Sequence, residues 1–168
     1  QIAHEAYNAS YRNHYGEVTP FQQGIWDYLR AWRAAGIQLG VATNRNREFL
    51  EHELALVDSG LWQPLIDLTV CAGDVTAYKP DPDIILKAAE AAQRPADAHI
   101  WYVGDSTTDV SAAQRAGHTA VFFNSAQWDL SALNRLFPGD SNHPYRPDVV
   151  VNDFSEFWAM LLACMDTP

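Results

Sequence analysis

Positive charge is scarce in this chain. Eleven lysines and arginines stand against twenty-one aspartates and glutamates, a formal net charge of −10. That balance argues against nucleic acid or an anionic membrane surface as a general partner. It leaves room for a small anionic ligand held by one local lysine or cation. Cysteine is scarcer still. Cys71 and Cys164 lie far apart with no metal or redox spacing, the pattern of reduced thiols in a cytoplasmic protein, and Cys71 reads as a small buried hydrophobe. No apolar run approaches the roughly 18 residues of a membrane span, and no signal peptide is visible. Internal repeats and low-complexity segments are absent. The six histidines show no ligand spacing; His14, His52, His99, His118 and His143 read as surface or loop residues.

What is present is an alternation of short apolar runs with amphipathic stretches. The 168 residues, 48% hydrophobic, suffice for one domain with a core. Residues 2–15 carry alanine and tyrosine at helical spacing. Ile25, Tyr28, Leu29 and Trp32 form a helical stripe closed by Gly36, with Trp26 and Trp32 expected to pack rather than bind. The pattern predicts strands at Ile37–Ala42, Leu65–Cys71 (interrupted by Asp67), Ile100–Val103, Thr119–Phe123 and Asp148–Val151. Helices are predicted between them at Arg47–Val57, Asp83–Ala92, after Ser106 to Ala116, and at Phe154–Cys164. Residues 125–147 are the least regular, with Leu130, Leu133 and Leu136 marking one short helix. Such alternation predicts an α/β fold: a doubly wound, mostly parallel sheet.

The stretch Ile100-Trp101-Tyr102-Val103-Gly104-Asp105-Ser106-Thr107-Thr108-Asp109 carries the most chemistry. A buried strand ends at a glycine, and a helix follows. Asp105 falls at the strand's carboxyl end, with Ser106 or Thr107 placed to cap the helix. Asp109 falls in its first turn. Two carboxylates converging there suit a hard cation, most simply Mg2+ with several waters retained. An N-cap and a dipole-compensating acid would account for the same residues. Thr43, ending an earlier strand, and Lys79, opening a later helix, lie at the same sheet edge, where α/β ligands gather. A hydroxyl, a lysine and two acids form a coherent set for phosphoryl chemistry.

These residues resemble the haloacid dehalogenase-like superfamily in its phosphatase branch, and most closely the phosphoglycolate phosphatase type. Val41-Ala42-Thr43-Asn44-Arg45, Tyr78-Lys79-Pro80-Asp81-Pro82 and Gly104-Asp105-Ser106-Thr107-Thr108-Asp109 are similar to its second, third and fourth motifs in order and spacing. The resemblance implies a Mg2+-dependent phosphatase of a small phosphorylated metabolite, with a related phosphomutase sharing the same motifs. A metal-free dehalogenase fits the paired acids poorly. It gives Thr43 and Lys79 catalytic contacts to the phosphoryl oxygens, and Asp105 and Asp109 to the metal, Asp109 acting through water or by orienting Lys79. Asn44, Arg45 and Ser106 are candidate substrate contacts, although Ser106 also suits a helix cap and Arg45 and Arg47 a solvated helix start. Residues 1–20, with His4, resemble the end of a helical cap, and 21–168 the core domain.

The first motif, a strand ending in Asp-x-Asp that supplies the nucleophile, has no counterpart here. Asp81-Pro82-Asp83 is the one Asp-x-Asp, and it opens a helix. That strand is the family's central one. The expectation is therefore a sheet in which Leu39–Ala42 and Trp101–Val103 are not directly paired. With Gln1 in place of Met, it is also that an upstream segment carries the nucleophile. The alternative expectation is an inactive relative that binds phosphate or a protein partner.

Overall fold

The structure is a computed structural model and describes residues 10–13 and 25–165. The elements are α1 (Ile25–Ala34), β1 (Gly40–Ala42), α2 (Arg47–Leu56), β2 (Leu68–Val70), α3 (Asp83–Ala91), β3 (Trp101–Gly104), α4 (Thr107–Arg115), β4 (Thr119–Phe123), α5 (Leu130–Leu136), β5 (Val149–Val151) and α6 (Phe154–Met165). All the strand pairs are parallel. β1 pairs with β2 through Val41↔Thr69, and β4 lies between β3 and β5 through Val103↔Val121 and Phe122↔Val150. β1 and β3 share no ladder, as the lack of a first-motif strand leads one to expect. The proposed cap at residues 1–20 lies largely outside the described residues, including the helix expected at 2–15.

Alternation along β4 builds a core on each face. Ala120 and Phe122 pack with Ile84 and Ile85 of α3 and with Val110, Ala112 and Ala113 of α4. Val121 faces the other way, toward Ile25, Leu29 and Trp32 of α1 and Phe157 of α6. A strand buried on both faces is the mark of a doubly wound sheet, and it explains why the strands read as unbroken apolar runs. The Ile25/Leu29/Trp32 stripe is the buried face of α1, as its spacing predicts.

Four strands begin later than their apolar runs suggest, and in two of them one device sets the start. Asp67 and Asp148 each precede a short strand. Each donates its backbone N–H to the neighbouring chain, Asp67 to the Leu39 carbonyl and Asp148 to the Ala120 carbonyl. Each then accepts the returning N–H on its own carboxylate, at 2.7 Å in both cases. A side chain thus replaces one ladder carbonyl, and the regular strand starts a residue later. The residues before Asp67 form a 3-10 turn, Gln63–Leu65, instead of extended strand.

Helix α4 is fixed at both ends. Ser106 accepts the Asp109 N–H while the Asp109 carboxylate accepts the Ser106 N–H, a reciprocal capping box. Gly117, at φ 78°, closes it in the left-handed conformation that glycine adopts without a Cβ penalty. His118 follows in the loop, one of the two places the sequence allows it, but it is not a surface residue. It is only 4% exposed, and among the described residues neither ring nitrogen has a hydrogen-bond partner. The link from α4 to β4 is three residues, Ala116 to His118, which leaves little room for a solvent excursion. Cys71 is buried as expected, and Cys164 is exposed.

Candidate active site

Lys79 is the hub of the site. Its ammonium donates to the Asp109 carboxylate at 2.8 Å, to the Tyr102 hydroxyl at 2.7 Å and to the Ala42 carbonyl at 3.3 Å. Tyr102 in turn donates to the same Ala42 carbonyl at 2.9 Å. The space between β1 and β3 is therefore bridged by side chains. Burial and the Asp109 charge push the Tyr102 phenol far above its ordinary range, so it stays a neutral donor. For Asp109, burial alone would raise the carboxyl. The Lys79 ammonium and the Ser106 donors outweigh it and hold the group below the usual carboxylate range.

The loop that carries Lys79 is held from two sides. The Asn44 side chain donates to the Lys79 carbonyl and accepts the Lys79 N–H, both at 3.0 Å. Arg115, from the end of α4, donates to the Pro80 carbonyl at 2.9 Å and to Asp81 at 2.8 Å. Asn44 thus spends its amide on positioning Lys79. Thr43 is half-buried at the end of β1. Its Oγ1 accepts the Arg45 N–H at 3.2 Å, which leaves its own O–H free to donate. Arg45 pairs with Glu53 and Tyr11, and its guanidinium lies over the Tyr11 ring. Burial, with Glu53 beside it, pushes the Tyr11 phenol up to about 12.

The two motif acids differ sharply. Asp109 is buried, with Oδ1 taken by Lys79 and Oδ2 by the Ser106 N–H and hydroxyl, at 3.2 and 2.5 Å. Asp105 is exposed at the carboxyl end of β3, and no donor among the described residues reaches its carboxylate. One free carboxylate at the sheet edge that also carries the Thr43 hydroxyl and Lys79 fits Mg2+, which is held by one or two carboxylates plus other oxygens and water. Among the described residues, no cluster of three or more acidic, histidine or cysteine side chains forms a complete protein cage. Ser106 is occupied by the cap and by a 2.8 Å contact to Thr108.

Tyr102 and Arg115 were not singled out from the sequence. Tyr102 reads there as one apolar residue of a strand, and Arg115 as a basic residue in a helix's last turn. Their partners lie 60 and 35 residues away, beyond any local pattern.

A hydroxyl, a lysine and two carboxylates thus gather at the carboxyl edge of a parallel sheet in an α/β fold. Comparison with known proteins agrees. Residues 1–123 match the family model described as haloacid dehalogenase-like hydrolase, and the chain belongs to that family. It is 33% identical over 114 residues to a phosphoglycolate phosphatase of Thiobacillus denitrificans, covering 65% of this chain and 48% of that one. It is 24% identical over 157 residues to the pyrophosphatase PpaX of Bacillus cereus, covering 93% and 66%. A Had-superfamily hydrolase from Ehrlichia chaffeensis shares the fold, with TM-score 0.69 at 17% identity over 96% of this chain and 70% of that one. The chain thus spans between about half and two thirds of the length of these curated relatives. Among the described residues, no helix is long and apolar enough to cross a membrane.

Proposed function

We propose that this chain forms the phosphoryl-binding part of a Mg2+-dependent phosphatase acting on a small phosphorylated metabolite. The observation that supports this reading is the Lys79 ammonium, fixed by Asp109, Tyr102 and Ala42 beside the free Thr43 hydroxyl. Thr43 and Lys79 bind the phosphoryl oxygens, and Asp109 holds Lys79 in place. In this reading the nucleophile is an aspartate upstream of the described residues, on a strand that would seat between β1 and β3, which share no ladder. Its carboxylate oxygen attacks phosphorus in line, the P–O bond to the leaving group breaks, and the departing oxygen takes a proton. Water then cleaves the aspartyl-phosphate, releasing phosphate and restoring the carboxylate. Asp105 would hold Mg2+ directly and Asp109 through a water. When bound, the ion supplies positive charge against the phosphoryl oxygens. The net charge of −10 favours a small substrate captured locally over a polyanion.

The test uses the product of the complete coding region around this chain. It should release phosphate from small phosphate monoesters only with Mg2+. Asp105→Ala should abolish release while leaving the circular dichroism spectrum unchanged. Release that persists in Asp105→Ala overturns the metal assignment. Phosphate binding without release supports the second reading, a non-catalytic phosphate-binding domain. That reading is favoured by the fact that no strand among the described residues ends in Asp-x-Asp.

A further inference from the structure

Beside Asp105, at the carboxyl end of β4, a cavity of about 220 Å³ opens between Phe122, Asn124, Ser125, Ala126 and Trp128. The register Gly104↔Phe122 sets Asp105 level with the end of β4, and Asp105 itself lines the cavity. Its wall is rigid. Asn124, only 2% exposed, donates to the Trp128 carbonyl at 3.0 Å and accepts the Trp128 N–H at 2.9 Å. The same amide donates to Asn152 at 2.8 Å, and Gln127 donates to the Asn152 carbonyl at 2.9 Å. These bonds tie the 124–128 turn to the end of β5 and fix where the indole stands.

Trp128 is stacked near-parallel on the buried Phe122, with ring centroids 6.2 Å apart. Yet it remains 42% exposed and lines the cavity. A part-exposed tryptophan backed by a buried phenylalanine and lining a cavity offers a preorganised platform for a second flat ring. No lysine, arginine or histidine lines the cavity, and its one charged side chain is Asp105 at the rim, so its protein lining offers an anionic ring substituent no positive partner. Its volume is below the roughly 300–1,000 Å³ of sites for drug-sized ligands, which limits it to a single ring.

We propose that this cavity is a leaving-group subsite for an uncharged aromatic or heteroaromatic ring, held against Trp128 while the phosphoryl group lies at Thr43 and Lys79. The inference rests on the phosphoryl-site reading above and adds the substrate class.

Binding of two non-hydrolysable probes, phenylphosphonate and methylphosphonate, with Mg2+ present, tests it by calorimetry on this chain. Phenylphosphonate should bind about tenfold more tightly, the factor that one good aromatic contact contributes. Trp128→Ala should erase that advantage and leave methylphosphonate affinity unchanged, and Trp128→Phe should keep part of it. The indole N–H resonance of Trp128, assigned by its loss in Trp128→Phe, should shift with phenylphosphonate and stay still with methylphosphonate. This second readout needs no truncated side chain to fold. Equal affinities with an unmoved indole resonance overturn the subsite and leave the phosphoryl-site reading intact. If neither probe binds, the phosphoryl-site reading falls and the subsite with it.

Discussion

The Lys79 ammonium lies 2.8 Å from the Asp109 carboxylate, and each side chain is only 11% exposed. A buried pair of this kind punishes the loss of one member, because the other charge is left without a partner. That costs about 3–5 kcal/mol. Lys79→Met and Asp109→Asn should each lower the denaturant-unfolding free energy by about that amount. The double variant should lose less than the sum of the two, since no charge is then left unpaired. Additive losses would show that the two groups do not act as a pair.

Acid should unfold the protein through the same carboxylate. Asp109 titrates below the usual carboxylate range in the folded state, because Lys79 and Ser106 outweigh its burial, and near 3.9 in the unfolded chain. The stability it contributes is therefore complete above about pH 4 and is lost as pH falls through the lower, folded value. In Lys79→Met that acid arm should flatten, and unfolding midpoints measured between pH 5 and pH 2.5 (about the range where carboxylates titrate) would reveal it.

His118 sets a second, milder dependence of the opposite residue type but the same direction. Burial pushes its imidazole below the ordinary value near 6.5. The unfolded chain takes up the proton first. Stability is thus full above about pH 6.5 and declines as pH falls toward the folded value. His118→Leu should remove the difference between midpoints measured on either side of about pH 6.5. An unchanged difference would locate the dependence elsewhere.

Gly104 has no room for a side chain. A Cβ built there would overlap the Asp109 side chain, which folds back over the end of β3. Gly104→Ala should destabilise the fold by about 1–3 kcal/mol through forced displacement. It should also weaken phosphate binding, because the displaced carboxylate is the one that holds Lys79. A melting temperature within error of the parent would contradict this geometry.

The sequence made the positions of the site legible and left its internal wiring hidden. Thr43, Lys79 and Asp105 stand at strand or helix ends where turn chemistry and apolar runs point to them. The fold class follows from the same alternation. Asn44 is different: its amide bonds the Lys79 peptide across 35 residues, and no local pattern announces that pairing. The two motif acids look equivalent in sequence. Only the packing of α4 against β3 makes Asp109 a buried partner of lysine and leaves Asp105 free. Trp128 falls in the stretch that reads as least regular, and Asn124 just before it, because their order comes from side-chain amides instead of helix or ladder periodicity. His118 eluded a composition-based reading, since histidine is intermediate in burial on average.

The bridge from Tyr102 and Lys79 to the Ala42 carbonyl has a mechanical consequence. β4 has ladder partners on both sides, whereas β1 is joined to the larger sheet through side chains. Opening the β1–β2 pair away from β3 thus breaks side-chain bonds and the apolar contacts of Val70, Ala42 and Leu68 with the shared core, but, among the described residues, no backbone ladder. That pair should behave as a separate cooperative unit, with amides that exchange with solvent sooner than those of β4. Because Thr43 rides on β1 and Lys79 on the loop that Asn44 binds, while Asp105 and Asp109 sit on the other side of this seam, the halves of the phosphoryl site belong to units of different stability. A ligand that contacts both would clamp the seam shut, and slowed exchange at Ala42 and Thr43 would register its binding directly.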